Sequence, residues 1–251
     1  MTNSHARQTD RGLGIRGQAR IAGGLYLLVI LLGAFAEIGV RQGLVVSGDS
    51  VATAASIRAH EAFFRLGFAA EMMTNVIAIP VTLIMYRLLA PTGRFMALLA
   101  IALDLTQNTV NAVNAWTQFA PITLLTGSPD LAAIPAPELA ALARLALHWH
   151  DVGFGIGLTF FGFALLIEGA LIFRSGYFPR WLGVIYALAG ACYLINSYAT
   201  FLAPTWPIFP YILFPCLIGE SAVCLWLIVV GVDGPRWRAA ALNSAAPEFA
   251  I

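Results

Sequence analysis

The sequence predicts an all-α integral membrane protein, a six-transmembrane-helix bundle with both termini cytoplasmic. Three observations predict it. Of 251 residues, 59% are hydrophobic and only 11% charged, where an average globular domain carries roughly 25% charged residues. A water-soluble fold of that composition would expose apolar patches that aggregate. The apolar residues gather into stretches of roughly the 20 residues that cross a hydrocarbon core. The arginines gather on one side of those stretches. A soluble enzyme and a disordered chain are thereby excluded, and a net charge of +1 leaves no basic field for nucleic acid.

The spans run Ile21 to Val40, Ala62 to Tyr86, Phe95 to Phe119, Val152 to Phe173, Trp181 to Leu202, and Phe209 to Val232. All the cations are arginine. With the N-terminus inside, Arg7, Arg11, Arg16, Arg20, Arg87, Arg94, Arg174, Arg180, Arg236 and Arg238 lie on the cytoplasmic side. Only Arg41, Arg58, Arg65 and Arg144 lie outside, as the positive-inside rule requires. Residues 1–19 then form a cytoplasmic tail, 20–233 the transmembrane domain and 234–251 a second cytoplasmic tail, in a bacterial inner (cytoplasmic) membrane. The run Ala34 to Ala36 before Glu37 also fits a signal cleavage site, although small residues fill every span. Cleavage would leave the other spans oriented as proposed.

Two inner loops, APTGR (90–94) and RSGYFPR (174–180), force tight hairpins through Gly and Pro. The outer loops are longer. One carries a helix-start signal at Ser47 to Ser50; the other resumes a helix with PELAALARLALHWH. The second and fourth helices are therefore expected to project past the membrane or lie along it. A weak parallel repeat relates helices 2–3 to helices 4–5, through RLGF from Arg65 and DVGF from Asp151. Cys192, Cys216 and Cys224 lie in apolar stretches without CxxC spacing and read as buried thiols.

Ionisable groups in hydrocarbon are costly and need a partner or a purpose. Glu37 and Arg41 are four apart and can pair; Arg65 and Glu71 are a second candidate pair, with Asn75 one turn beyond Glu71. Asp104, Asn108 and Asn111 (i, i+4, i+7) form a stripe expected to face the bundle interior. His148 and Asp151 share a face, with His150 pointing elsewhere. Tyr193, Asn196 and Glu220 follow, and Glu168 lies nearer the cytoplasm. By depth, these groups outline a polar bowl opening outward and floored around Asp104 and Glu220. The alternative for each residue is interhelical hydrogen bonding without further role. His148 and Asp151, completed by Glu71 and Asp104, would be the candidate metal ligands, although HWHD is not HExxH and an interfacial helix start explains it equally. No GxSxG, P-loop, dinucleotide fingerprint or CxxCH is present, and no cofactor is expected. Gly153, Gly155 and Gly157 suit close helix packing.

RIAGGLYLLVILLGAFAEIGVR from Arg20, GDSVATAASIRAHEAFFRLGFAAEMM, and HDVGFGIGLTFFGFALLIEGALIFRSGYFPRWLGVIYALAGACYLINS from His150 resemble a bacterial polytopic membrane family, domain of unknown function 4386. The resemblance covers roughly Arg20 to Val232. It implies a helical bundle in a bacterial inner membrane and transfers no catalytic residue. The segment DLTQNTVNAVN is richer in amides than the resemblance leads one to expect.

Three functions fit these residues. The leading one is binding of a small polar or amphipathic ligand, such as a lipid, in a pocket open to the periplasm. Its ligand-binding residues would be Glu37, Arg41, Arg65, Glu71, Asp104, Asn108, Asn111, His148, Asp151, Asn196 and Glu220. The second is a secondary transporter using Asp104, Glu220 and Glu71, with Pro80 and Pro215 supplying kinks. The third is a metal-dependent intramembrane enzyme at His148 and Asp151. Besides the bilayer and that unidentified ligand, no partner is specified.

Overall fold

The computed structural model describes residues 14–127, 129–203 and 211–245. Among them there is no strand, and six helical segments are long and apolar enough to cross a membrane. We number α1 Ile15–Leu44, α2 Ser50–Ala59, α3 Glu61–Leu89, α4 Arg94–Leu125, α5 Ala136–Arg174, α6 Arg180–Leu202, α7 Phe214–Val229 and α8 Gly234–Ala245. Phe209, the expected start of the sixth span, lies outside the described residues, as do Arg7 and Arg11.

Several elements differ from expectation for local reasons. α1 continues past Val40 because Phe35–Arg41 forms a π turn before Gln42–Leu44. α5 begins at Ala136, where Pro135 precedes it and Pro137 sits in its first turn, a position at which the missing N–H has no helical partner anyway. It then runs 39 residues to Arg174 without interruption. The outer helix after Ser47–Ser50 is separate from α3. Asp49 caps α2 by accepting from Ala52 N at 2.8 Å, and His60 (φ −124°, ψ 36°) breaks the chain direction before Glu61. Pro80 lies inside a continuous α3. Pro215 lies in the first turn of α7, so it starts a helix and does not kink one.

The six spanning helices form a closed ring, each packed against its neighbours in the chain, with α1 also against α7. The α5–α6 contact depends on the absence of side chains. A Cβ on Gly162 would lie 2.9 Å from Gly190 O, and one on Gly183 2.5 Å from Gly169 O. Two such crossings, seven residues apart on each helix, bring the backbones together, as small residues do in membrane helix pairs. The hairpin before α6 turns at Gly176, whose φ of +71° suits glycine. Tyr177 fixes it by donating to Leu88 O at 2.8 Å and meeting Thr92 Oγ1 at 2.8 Å.

Two apolar clusters occupy opposite ends of the ring. One joins Tyr26, Met85, Leu165, Leu182 and Leu227 toward the arginine-rich end. The other joins Val40, Ile57, Phe64, Ile122 and Leu147 toward the long loops, where α2 packs against α5 and α4. Buried amides and acids fill the depth between them. Trp237 of α8 closes the arginine-rich end by donating from Nε1 to Leu88 O at 3.1 Å.

Candidate functional site

The mouth at the long-loop end is built around Arg41. The π turn that holds it also holds Glu37, and such turns recur where a helix carries function. Arg41 is 9% exposed; its guanidinium donates to Glu37 Oε2 and, across to α5, to Asp151 Oδ1 at 2.6 Å. Arg144, about two helical turns before Asp151, and His148 lie within electrostatic reach of Asp151. A cavity of about 320 Å³ opens here, walled by Glu37, Arg41, Gln42, Ser47, Arg144 and Asp151 with Val45 and Leu147. Two carboxylates and two guanidiniums thus share one small opening.

Beneath the mouth, His150 and Glu71 face each other. His150 is 2% exposed, and its Nε2 stands 3.6 Å from Glu71 Oε1, beyond hydrogen-bond length. Glu71 Oε1 has no hydrogen-bond partner, and both groups feel the charge of Arg41. Asn114 holds the other side of the imidazole, donating to His150 O at 2.9 Å and meeting Nδ1 at 3.3 Å. The amide stripe on α4 faces inward as expected, with Asp104, Asn108, Asn111 and Asn114 all buried. Asn108 Nδ2 donates to Asn75 O on α3 at 2.7 Å. Asn111 and Asn114 occupy the space left by Gly157 and Gly153 of α5. These glycines therefore seat two asparagines, while a Cβ added at Gly155 would meet the Phe201 ring only at ordinary contact distance.

The floor is a separate assembly. Glu220 accepts from Tyr26 Oη at 2.7 Å and from Tyr193 Oη; Tyr26 Oη lies 3.4 Å from Tyr186 Oη. Glu168 lies within electrostatic reach of both Tyr186 and Asp104. None of these residues lines the mouth cavity, so the expected single bowl is instead a mouth and a buried network below it.

Other expectations change as well. The histidine assignment is reversed: His148 is exposed and His150 is the buried one. Arg65 pairs with Glu61 at 2.7 Å on the helix exterior, not with Glu71, because four residues return to one helix face and six do not. Asn196 is buried on α6, and among the described residues no hydrogen bond joins its side chain to the mouth. No group of three or more His, Cys, Asp or Glu among the described residues is placed to hold a metal ion. His150, Asn114 and Glu168 are the residues that the expected ligand set omitted. A signal for His150 existed, since it continues the stripe Leu139, Ala143, Ala146 and Leu147 at three- and four-residue steps.

Comparison with known proteins adds a family without an activity. A family model described as a domain of unknown function (DUF4386) matches residues 21–231. An uncharacterized protein of Archaeoglobus fulgidus is 34% identical over 76 residues, covering 30% of this chain and 44% of that relative. The chain thus spans under half the length of the curated relative it matches. No solved structure matches.

Proposed function

As the chain belongs to the DUF4386 family, whose description assigns no activity, we propose from its own residues that it is a multi-pass inner-membrane protein binding a small polar or amphipathic molecule at the Arg41 mouth. The supporting observation is the 320 Å³ cavity in which Arg41 and Arg144 stand beside Glu37 and Asp151. Paired charges of both signs suit a zwitterion, such as the phosphoethanolamine group of a lipid. The phosphate would face the guanidiniums, which bind such oxyanions in a fork, and the ammonium would face the carboxylates. The arginine-rich end, with both termini, faces the cytoplasm in this reading, and the mouth faces the periplasm.

Two ligand arms test it. Soluble phosphoethanolamine is titrated calorimetrically into the detergent-purified protein, and phosphatidylethanolamine is added in native mass spectrometry. Binding in both arms assigns the headgroup; binding of the lipid alone adds a requirement for the acyl chains. Charged hydrogen bonds contribute about 1.5–3 kcal/mol each, so Arg41→Gln should weaken retention more than tenfold. Failure of both probes, or equal binding by Arg41→Gln and Asp151→Asn, removes the proposal.

A further inference from the structure

We propose that Glu220 binds a proton inside the bundle, and that this proton decides whether α1 is hydrogen-bonded to α7 or to α6. The switch is the Tyr26 hydroxyl. The proposal is independent of what the mouth binds, since none of these residues lines that cavity.

The geometry is a carboxylate held by phenols. Tyr26 Oη, on α1, donates to Glu220 Oε2 at 2.7 Å. Tyr193 Oη, on α6, donates to Glu220 Oε1, and the Tyr193 ring packs against Phe161 of α5 with centroids 5.4 Å apart. Tyr186, about two turns before Tyr193 on the same helix, brings its Oη within 3.4 Å of Tyr26 Oη. Tyr26, Tyr186 and Glu220 are all buried. No arginine or histidine among the described residues pairs with Glu220.

An ionised carboxylate without a cation is costly inside a membrane protein. A proton removes that charge, provided that the acid finds an acceptor for its new O–H. The structure supplies one, because a phenol both donates and accepts and Tyr26 has a second phenol oxygen beside it. With Glu220 ionised, Tyr26 donates to Oε2. When a proton from water adds to Oε2, the acid O–H donates to Tyr26 Oη, and Tyr26 turns its own O–H to Tyr186 Oη. Only Glu220 changes charge, and in both states each O–H of Glu220 and Tyr26 has an acceptor. The distances are those of the ionised state: 2.7 Å to Glu220 is an ordinary O–H···O length, whereas 3.4 Å between the phenols is about 0.6 Å too long. Protonation draws the two phenols together, and with them α1 toward α6.

The neighbouring groups leave this exchange to Tyr26. On α7, Cys216 Sγ donates to Ala189 O at 3.4 Å and Cys224 Sγ to Gly23 O at 3.3 Å, so both thiol protons are directed at backbone. Cys192 of α6 lies within electrostatic reach of Cys216. Asp104 of α4 and Glu168 of α5 lie within reach of Tyr186 and bring no positive charge.

Infrared difference spectroscopy of the full-length protein in lipid nanodiscs, stepped in pH, tests this. The wild type should show a carboxylic-acid C=O band that grows as pH falls. ¹³C-glutamate labelling should move it to lower wavenumber, and Glu220→Gln should diminish it. A tyrosine C–O band, identified by ¹³C-tyrosine labelling, should shift over the same pH range, and Tyr26→Phe should remove that shift. Tyr193→Phe takes away the donor to Oε1 and should move the carboxyl band to higher wavenumber. Exposed Glu138→Gln should change neither band. A wild type without a titrating band sensitive to ¹³C-glutamate overturns the proton site even if the variants fail to fold. So does a band undiminished in Glu220→Gln or unmoved in Tyr193→Phe. A band that follows sodium concentration at fixed pH overturns it in favour of a cation. A carboxyl band that titrates without the tyrosine shift overturns the switch at Tyr26.

Discussion

Replacing Gly153 by alanine tests how the amide layer is held. The new Cβ would stand 2.8 Å from Asn114 Nδ2, with Oδ1 and Cγ closer still, so an amide flip gives no relief. Asn114 must swing away and lose its contacts with His150 O and Nδ1, at 2.9 and 3.3 Å. Two interhelical bonds at about 0.6 kcal/mol each add to an overpacking cost of about 1–3 kcal/mol. Alanine's helix propensity offsets about 1 kcal/mol of that. The net expectation is a loss of about 1–3 kcal/mol. Gly155→Ala is the matched control. Its Cβ meets Phe201 at 3.5 Å, so it keeps the propensity gain without the clash. The assay is reversible unfolding of the purified protein by SDS titrated into mild detergent, read by circular dichroism. The double variant Gly153→Ala/Asn114→Ala should lose less than the sum of the two single changes, because the obstructing amide is gone. Gly153→Ala as stable as Gly155→Ala, or strict additivity in the double variant, would refute the seating of Asn114.

Three further outcomes follow from other parts of the ring. Burial pushes the Tyr177 hydroxyl up to about 12, against a smaller lowering by its bond with Thr92. A group raised in the folded state contributes stability that is complete below its unfolded value near 10 and disappears as pH rises toward 12; a pH series of melting temperatures should show that fall, and Tyr177→Phe should flatten it. Gly183→Val would set a Cβ 2.5 Å from both Gly169 O and Phe173 N, where only backbone can move, so a loss of about 3 kcal/mol or more is expected in the same SDS titration. Trp237→Ala removes the bond to Leu88 O and should speed tryptic cleavage after Arg238 severalfold, followed by mass spectrometry; an unchanged rate would mean that Trp237 does not hold α8.

Much of the architecture was legible because the membrane imposes a simple grammar. Apolar run length fixed the existence of each span, and Gly176 with Pro179 marked the hairpin that leads into α6. The buried stripe of Asp104, Asn108 and Asn111 was readable from helical periodicity. The histidine choice depended on which face of a 39-residue helix turned inward, and the decisive stripe began well before the expected span. The π turn left no mark in the spacing of Glu37 and Arg41, because a four-residue step pairs charges in an α-helix too. The network around Glu220 was out of reach for another reason. Tyr26 lies 194 residues away in the chain, and only the closure of the ring brings the two together.

That closure also means the bundle has no first member. Ile15 lies against Gly234, so the start of α1 meets the start of α8, and the turn at 90–93 lies at the same end of the molecule. A circular permutant that links these segments and opens between α3 and α4 would keep every helix beside its present neighbours. It would also keep both new ends on the arginine-rich side. Translation order is then one of several routes around the same circle, and the membrane-inserted assembly can be rewired without being redesigned.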